Sequence, residues 1–207
     1  MILQSLVPFF FVFPLIIISV SLHEFSHGWV AYRCGDDTAK ASGRLTLNPL
    51  AHVDLWGTIL LPIFFFLTIH IFFGWAKPVP VNFMNLRKPK TQMIWVAIAG
   101  PAANMLFAVF LASVFHVGAV SPHSLFGILL TGGVFLNVFL AIFNLIPIPP
   151  LDGSRVVMGI LPPALLRHYA RLERYGLLLV LLLWATGLLK YLVFPVVEIV
   201  SRLLGLS

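Results

Sequence analysis

Cysteine and charge are what this 207-residue sequence has least of. Its one cysteine, Cys34, excludes an intrachain disulfide and any cysteine-based zinc cluster. Charged residues make up 10% of the chain, where an ordinary soluble domain carries roughly a quarter. Acids are scarcer than bases, with seven Asp and Glu against 13 Lys and Arg. No Gly-x-Ser-x-Gly surrounds any serine, which disfavours a serine hydrolase. There is no internal repeat, no low-complexity tract and no separate soluble stretch.

What is abundant is apolar. The chain is 60% hydrophobic, with 19 Phe and a mean hydropathy of +1.02. One small soluble core cannot bury that much, so the bilayer must be the solvent. A spanning helix needs about 20 apolar residues. Windows of that kind lie at about 7–32, 92–116, 125–147 and 175–190 extending toward 194, with weaker ones at 58–73 and 191–205. The fold expected is an all-α polytopic membrane protein of about five to six transmembrane helices. It forms one membrane-embedded domain over 1–207, with a core at about 7–155 and accessory C-terminal helices at about 170–205. The run from Ile2 to Leu22 has no basic residue ahead of it, and Arg33 is the first positive charge. A cleavable signal shows the opposite order, so the run reads as a retained first helix.

The bases sit at the ends of apolar segments, in clusters at 33–44, 77–90 and 155–174, as orientation in a membrane requires. No basic stripe interleaved with aromatics suggests nucleic acid. If 57–73 dips into the membrane and returns, all three clusters lie in the cytoplasm with the N-terminus outside. That re-entrant arrangement obeys the positive-inside bias better than a full crossing. Alternation in Arg44-Leu45-Thr46-Leu47-Asn48 suggests a short β element before Pro49.

The sharpest motif is His23-Glu24-Phe25-Ser26-His27. Residues four apart share a helix face, about 6 Å apart along the axis. Two imidazoles so placed can reach one Zn²⁺, and Glu24 beside them can take a proton from the attacking water and pass it to the leaving amine. The motif lies inside an apolar run, where an ionisable residue costs roughly 2.5–3.5 kcal/mol to insert and is functional by default. A catalytic zinc needs a third protein ligand and an open position. Asp152 stands out for that role, because Pro147, Pro149 and Pro150 break the preceding helix and let the carboxylate turn inward. His52 and Asp54 compete with it, and a bland alternative makes Asp152 a cap for the next helix. Gly100-Pro101-Ala102-Ala103-Asn104 can let another chain approach a helix backbone. With Asn144, Asn104 suggests two amides facing one cavity, able to hold a substrate carbonyl or an oxyanion. His70, His116 and His123 read as ordinary interfacial or core histidines, and Phe64–Phe66 with Phe72 and Phe73 as lipid or packing contacts.

In this order, His23–His27, Gly100–Asn104 and Asn144–Gly153 resemble the site-2 proteases, membrane-embedded zinc metalloproteases. The stretches 48–54 and 74–82 are similar to the short prokaryotic branch, which lacks PDZ and CBS domains. About eight residues separate the helices near His116 and Leu125, which leaves no room for a PDZ domain between them. The resemblance covers about residues 20–155. It implies one catalytic Zn²⁺ on His23, His27 and Asp152, Glu24 as base, and Asn144 helping to bind the substrate strand. The substrate it implies is a transmembrane protein or peptide in a lipid bilayer, cut to release signalling fragments or clear signal-peptide remnants. The implied setting is a bacterial inner membrane with the site toward the cytoplasm. Arg44–Asn48 is the candidate strand to which an unwound substrate would add. Two rival readings are a cation-binding transporter, disfavoured by the lack of an inverted repeat, and an inactive relative that binds membrane segments.

Overall fold

The computed structural model describes residues 2–69, 74 and 76–206, with side chains from residue 13 onward except Ile69. Its elements are α1 (Ile2–Cys34), α2 (Thr38–Ala41), α3 (Leu61–Ile69), α4 (Pro89–Val117), α5 (Leu125–Asn144), α6 (Asp152–Ile160), α7 (Pro163–Ala170), α8 (Gly176–Ala185), α9 (Leu188–Leu192) and α10 (Phe194–Leu203). The architecture is all-helical, with no strand among the described residues.

Local chemistry sets the ends of the long helices. Gly35, at φ +113°, ends α1, and the next N–H, of Asp36, donates back to Ala31 O at 3.0 Å. Pro89 opens α4 at a position where its missing N–H costs nothing. Ser124 caps α5 by accepting from Gly127 N–H at 3.0 Å. Beyond Asn144, the prolines at 147, 149 and 150 cannot continue a helix, and the chain turns before α6. The Tyr169 hydroxyl pins that turn by donating to Pro147 O at 2.7 Å.

α4 is the central element, packed against α1, α5 and α6. Its small residues Ala108 and Ala112 are buried with Val134 and Val138 of α5 and Val193 and Val197 beside α10. Its opposite face leaves Trp95, Leu106, Phe110 and Val117 exposed. So much apolar surface facing outward is stable against lipid rather than water. Among the described residues, α4 and α5 are long and apolar enough to cross a bilayer. The stretch 163–203 would be a third if its bent halves, 76° apart, form one span. The continuous C-terminal window expected toward 194 is broken at Gly187, which adopts the left-handed conformation at φ +72°.

The short β element at 44–48 is not a strand: a ladder needs backbone pairing, and among the described residues none joins 44–48 to a neighbouring segment. Instead Thr46 accepts at Oγ1 from Asn48 N–H and at its carbonyl from His52 Nε2–H, and Asn48 caps the 3₁₀ turn Pro49–Ala51. The apolar segment beginning at Leu55 is a π-helical turn that runs into α3, and its two ends lie together. Lys77 N–H donates to His52 O at 3.0 Å, and a Cβ on Gly74 would sit 2.3 Å from Gly57 O. The chain thus leaves near 52–57 and is back at the same place by 74–77. His70, Phe72, Phe73 and Trp75 lie outside the described residues.

The end of α1 is tied to the chain entering α4 through Asp36, a fully buried carboxylate. It accepts from Asn82 N–H at 2.7 Å, Asn85 Nδ2 at 3.0 Å, and the Thr38 hydroxyl and N–H. Burial alone would raise its pKa, but these hydrogen bonds hold it below the ordinary aspartate value. A depressed folded pKa gives stability that is present above the unfolded value, near 3.9, and is lost as pH falls through the folded one. We therefore expect Asp36→Ala to lower the melting temperature in detergent at pH 7, by a loss of roughly 1–3 kcal/mol. The gap between wild type and variant should narrow progressively below about pH 4.

Candidate metal centre

The site is assembled from two elements packed on α4. His23 and His27 project from one face of α1, and Asp152 is the first residue of α6. Their ligand-capable atoms converge. His23 Nε2 lies 3.0 Å from His27 Nε2, and Asp152 Oδ2 is 3.0 Å from the first and 3.2 Å from the second. Metal bonds of 2.0–2.1 Å in a tetrahedron place ligand atoms about 3.3 Å apart, so the spacing fits one ion.

The other nitrogen of each ring is already committed. His27 Nδ1 lies 2.7 Å from Val96 O, which can only accept, so Nδ1 carries the hydrogen and Nε2 presents its lone pair. His23 Nδ1 lies 2.5 Å from Asn104 Oδ1, with the same consequence. Two imidazole lone pairs and a carboxylate oxygen therefore point at one place, which is the donor set a divalent cation takes. His23 and His27 are 7% and 9% exposed, so water cannot substitute for such a partner from most directions.

Glycine makes the approach possible. A Cβ on Gly100 would lie 2.4 Å from His27 Nε2 and 2.5 Å from His23 Nε2, so both rings pack on bare α4 backbone. Gly153 does the same for α6: a Cβ there would meet Leu145 O at 2.2 Å and Ile146 O at 2.5 Å. That contact brings the N-terminus of α6, and with it Asp152, against the end of α5. The helix dipole there favours the carboxylate. Leu151, not Asp152, is the N-cap, and it makes no side-chain cap.

A cleft of about 290 Å³ opens beside the three residues. Glu24, Asn144 and Arg155 line it, together with the backbone strap Pro78–Val79. Glu24 Oε2 accepts from Val79 N–H at 2.7 Å, and Arg44 Nη2 donates to Lys77 O at 2.7 Å, so the strap lies across the carboxylate. Asn144 faces this cleft while giving one amide hydrogen to Leu140 O. Asn104 does not share the cleft with it. Asn104 is fully buried behind His23 and engaged by Ser19 O and Asn137 as well as the imidazole.

The competing acid and histidine are engaged elsewhere. Asp54 accepts from Gly57 N–H at 2.6 Å, and His52 Nε2–H donates to Thr46 O at 2.8 Å. Among the described residues, His23, His27 and Asp152 form the group able to hold a metal.

The family model described as Peptidase family M50 matches residues 10–126 and 118–183. The chain belongs to that family, the site-2 proteases. It is also 38% identical over 204 residues to the "Putative zinc metalloprotease YwhC" of Bacillus subtilis (strain 168), covering 94% of this chain and 88% of that one. The "Putative zinc metalloprotease Rip2" of Mycolicibacterium smegmatis is 35% identical over 184 residues, covering 87% and 69%. Its namesake in Mycobacterium tuberculosis (strain H37Rv) is 29% identical over 192 residues, covering 92% and 73%. No solved structure matches.

In this M50 peptidase, sequence reasoning missed the partners behind the ligands. Val96 O and Val79 N–H are backbone groups and carry no sequence signal. Asn137 did carry one, as an amide deep within the largely apolar α5, whereas Ser19 is one of several polar residues along α1. The role of Gly100 can be tested directly. Gly100→Ala should weaken divalent-metal binding by at least about 100-fold, beyond the roughly 10–100-fold usual for losing an outer-shell contact. Gly132→Ala, where a Cβ meets nothing within 4 Å, should bind as wild type. Titration with Co²⁺ followed by visible absorbance reads both.

Proposed function

We propose that this chain is a zinc-dependent intramembrane peptidase that hydrolyses peptide bonds within or next to transmembrane segments of other proteins. The observation that carries this reading is the convergence of two oriented imidazole lone pairs and a carboxylate beside Glu24 in one cleft. His23, His27 and Asp152 hold the ion. Bound zinc supplies Lewis acidity, lowering the pKa of water toward ~7 and polarising a carbonyl.

The chain's own groups do the rest. Glu24 takes a proton from the attacking water and delivers it to the amide nitrogen as the C–N bond breaks, so that water's oxygen ends on the carbonyl carbon. Val79 N–H holds Glu24 at Oε2, which leaves Oε1 as the oxygen to take the proton. Asn144 has a second amide hydrogen beyond the one given to Leu140 O, and in the cleft it can bind a substrate carbonyl.

The topology we propose keeps five to six membrane segments, counting α1, the 55–69 excursion, α4, α5 and the bent C-terminal helices. The nearness of Gly74 to Gly57 favours the excursion as re-entrant. The basic clusters meet around the cleft: Arg44 reaches the 77–78 strap, Arg87 N–H donates to Cys34 O, and Arg155 lines the cavity. By the positive-inside bias that end faces the cytoplasm, in a bacterial inner membrane.

The deciding experiment measures zinc content and cleavage of a labelled transmembrane peptide in liposomes, for wild type and Glu24→Gln, with and without chelator. Wild type should hold about one zinc and cut, and chelation should stop it. Glu24→Gln should keep its zinc and lose roughly 10²–10⁴-fold in rate. Equal cutting by both forms, or no zinc in wild type, overturns the reading.

A further inference from the structure

Behind the ligand pair runs a chain of hydrogen bonds buried between α1, α4 and α5. Asn104 Oδ1 accepts from His23 Nδ1–H at 2.5 Å. The Asn104 amide nitrogen donates its two hydrogens to Ser19 O at 3.1 Å and to Asn137 Oδ1 at 2.7 Å. Asn137 Nδ2 in turn donates to Ser19 Oγ and Gly133 O, each at 2.9 Å. Ser19, Asn104 and Asn137 are all fully buried, and both amides have every hydrogen placed.

The direction of this chain is not arbitrary. The carbonyls of Gly133 and Ser19 can only accept. Gly133 O fixes which end of the Asn137 amide is nitrogen, so its oxygen faces Asn104. A reversed Asn104 amide would put its oxygen against two acceptor oxygens and its nitrogen against His23. His23 would then have to accept at Nδ1 and carry its hydrogen on Nε2, the atom that meets His27 and Asp152. Such a tautomer cannot ligate a metal.

We propose that Asn137 is a positioning residue for the metal site: together with Ser19 O it holds the Asn104 amide in the orientation that sets the His23 tautomer and leaves Nε2 free for zinc. It touches neither ligand atom nor cleft and acts two hydrogen bonds away. The inference rests on the metal-site reading above and adds to it a residue of α5, a helix that contributes no ligand. The plain alternative is polar glue joining three helices, which would lower stability without touching metal affinity.

The test compares Asn137→Leu, Asn137→Ser and Val138→Ala in the full-length protein in detergent. Val138 is fully buried in the same helix and lies outside the network, so it reports lost packing alone. Zinc affinity is read by competition with a chromophoric chelator, with the visible spectrum of the Co²⁺ form as a second measure. Asn137→Leu keeps bulk and removes one of the two acceptors that hold the Asn104 amide nitrogen, leaving Ser19 O alone to oppose reversal, so zinc should bind about 10-fold more weakly, with an altered Co²⁺ spectrum. Asn137→Ser offers a hydroxyl that can accept or donate and should fall between, by several-fold. Val138→Ala should melt earlier and keep wild-type affinity. Should Asn137→Leu fail to fold, the serine variant decides. Wild-type zinc affinity in the Asn137 variants overturns the inference while leaving the metal site standing. Absence of zinc binding in wild type overturns both.

Discussion

A histidine buried among apolar helices has two ring nitrogens, and each must be given a partner or lose several kcal/mol of hydration. In this protein one nitrogen of each ring is satisfied by an acceptor on α4, Val96 O for His27 and Asn104 Oδ1 for His23. The remaining nitrogens then face one another and Asp152. Much of the architecture answers to that arrangement. α4 must come close enough to α1 for its own backbone to be the acceptor, which requires glycine at 100. α6 must start where α5 stops, which requires the proline turn and Gly153.

The surrounding packing is consistent with this economy. Lipid offers no hydrophobic drive for helices to associate, so close backbone approach and interhelical hydrogen bonds do that work. Ala108 and Ala112 on α4 let α5 pack close, and the Ser19–Asn104–Asn137 group bonds across all three helices. The polar atoms that join the helices also orient the histidines.

The three residues that converge on the candidate metal centre were largely legible in the sequence, and for different reasons. His23 and His27 announce themselves because a spacing of four is local, independent of tertiary structure. Asp152 could be singled out because acids are so few and three prolines precede it. Gly100 could be read as a place of close approach, although not as the seat of two imidazole rings. Misreading came where a local pattern needs a distant partner. Alternation at 44–48 suits a strand, but the pairing that makes one is absent, and Thr46 and Asn48 bond locally instead. Asn104 was placed in a cavity because a deep amide suggests one, whereas its three hydrogen bonds lie in a helix interface. The span count stayed partly out of reach because a break such as Gly187 costs little in composition and turns the chain sharply.

The strap over Glu24 has a thermodynamic side. Val79 N–H is a ligand for the carboxylate that is covalently part of the same chain, and such a tethered ligand competes at an effective concentration set by the loop rather than by the solution. A peptide or inhibitor that takes the Oε2 position displaces it, and its apparent affinity is its intrinsic affinity reduced by the fraction of molecules with the strap lifted. Compounds ranked on the resting protein are thus ranked partly by how well they pry. Weakening the Arg44 hold on Lys77 O would tighten every such compound by a common factor, whatever its own contacts.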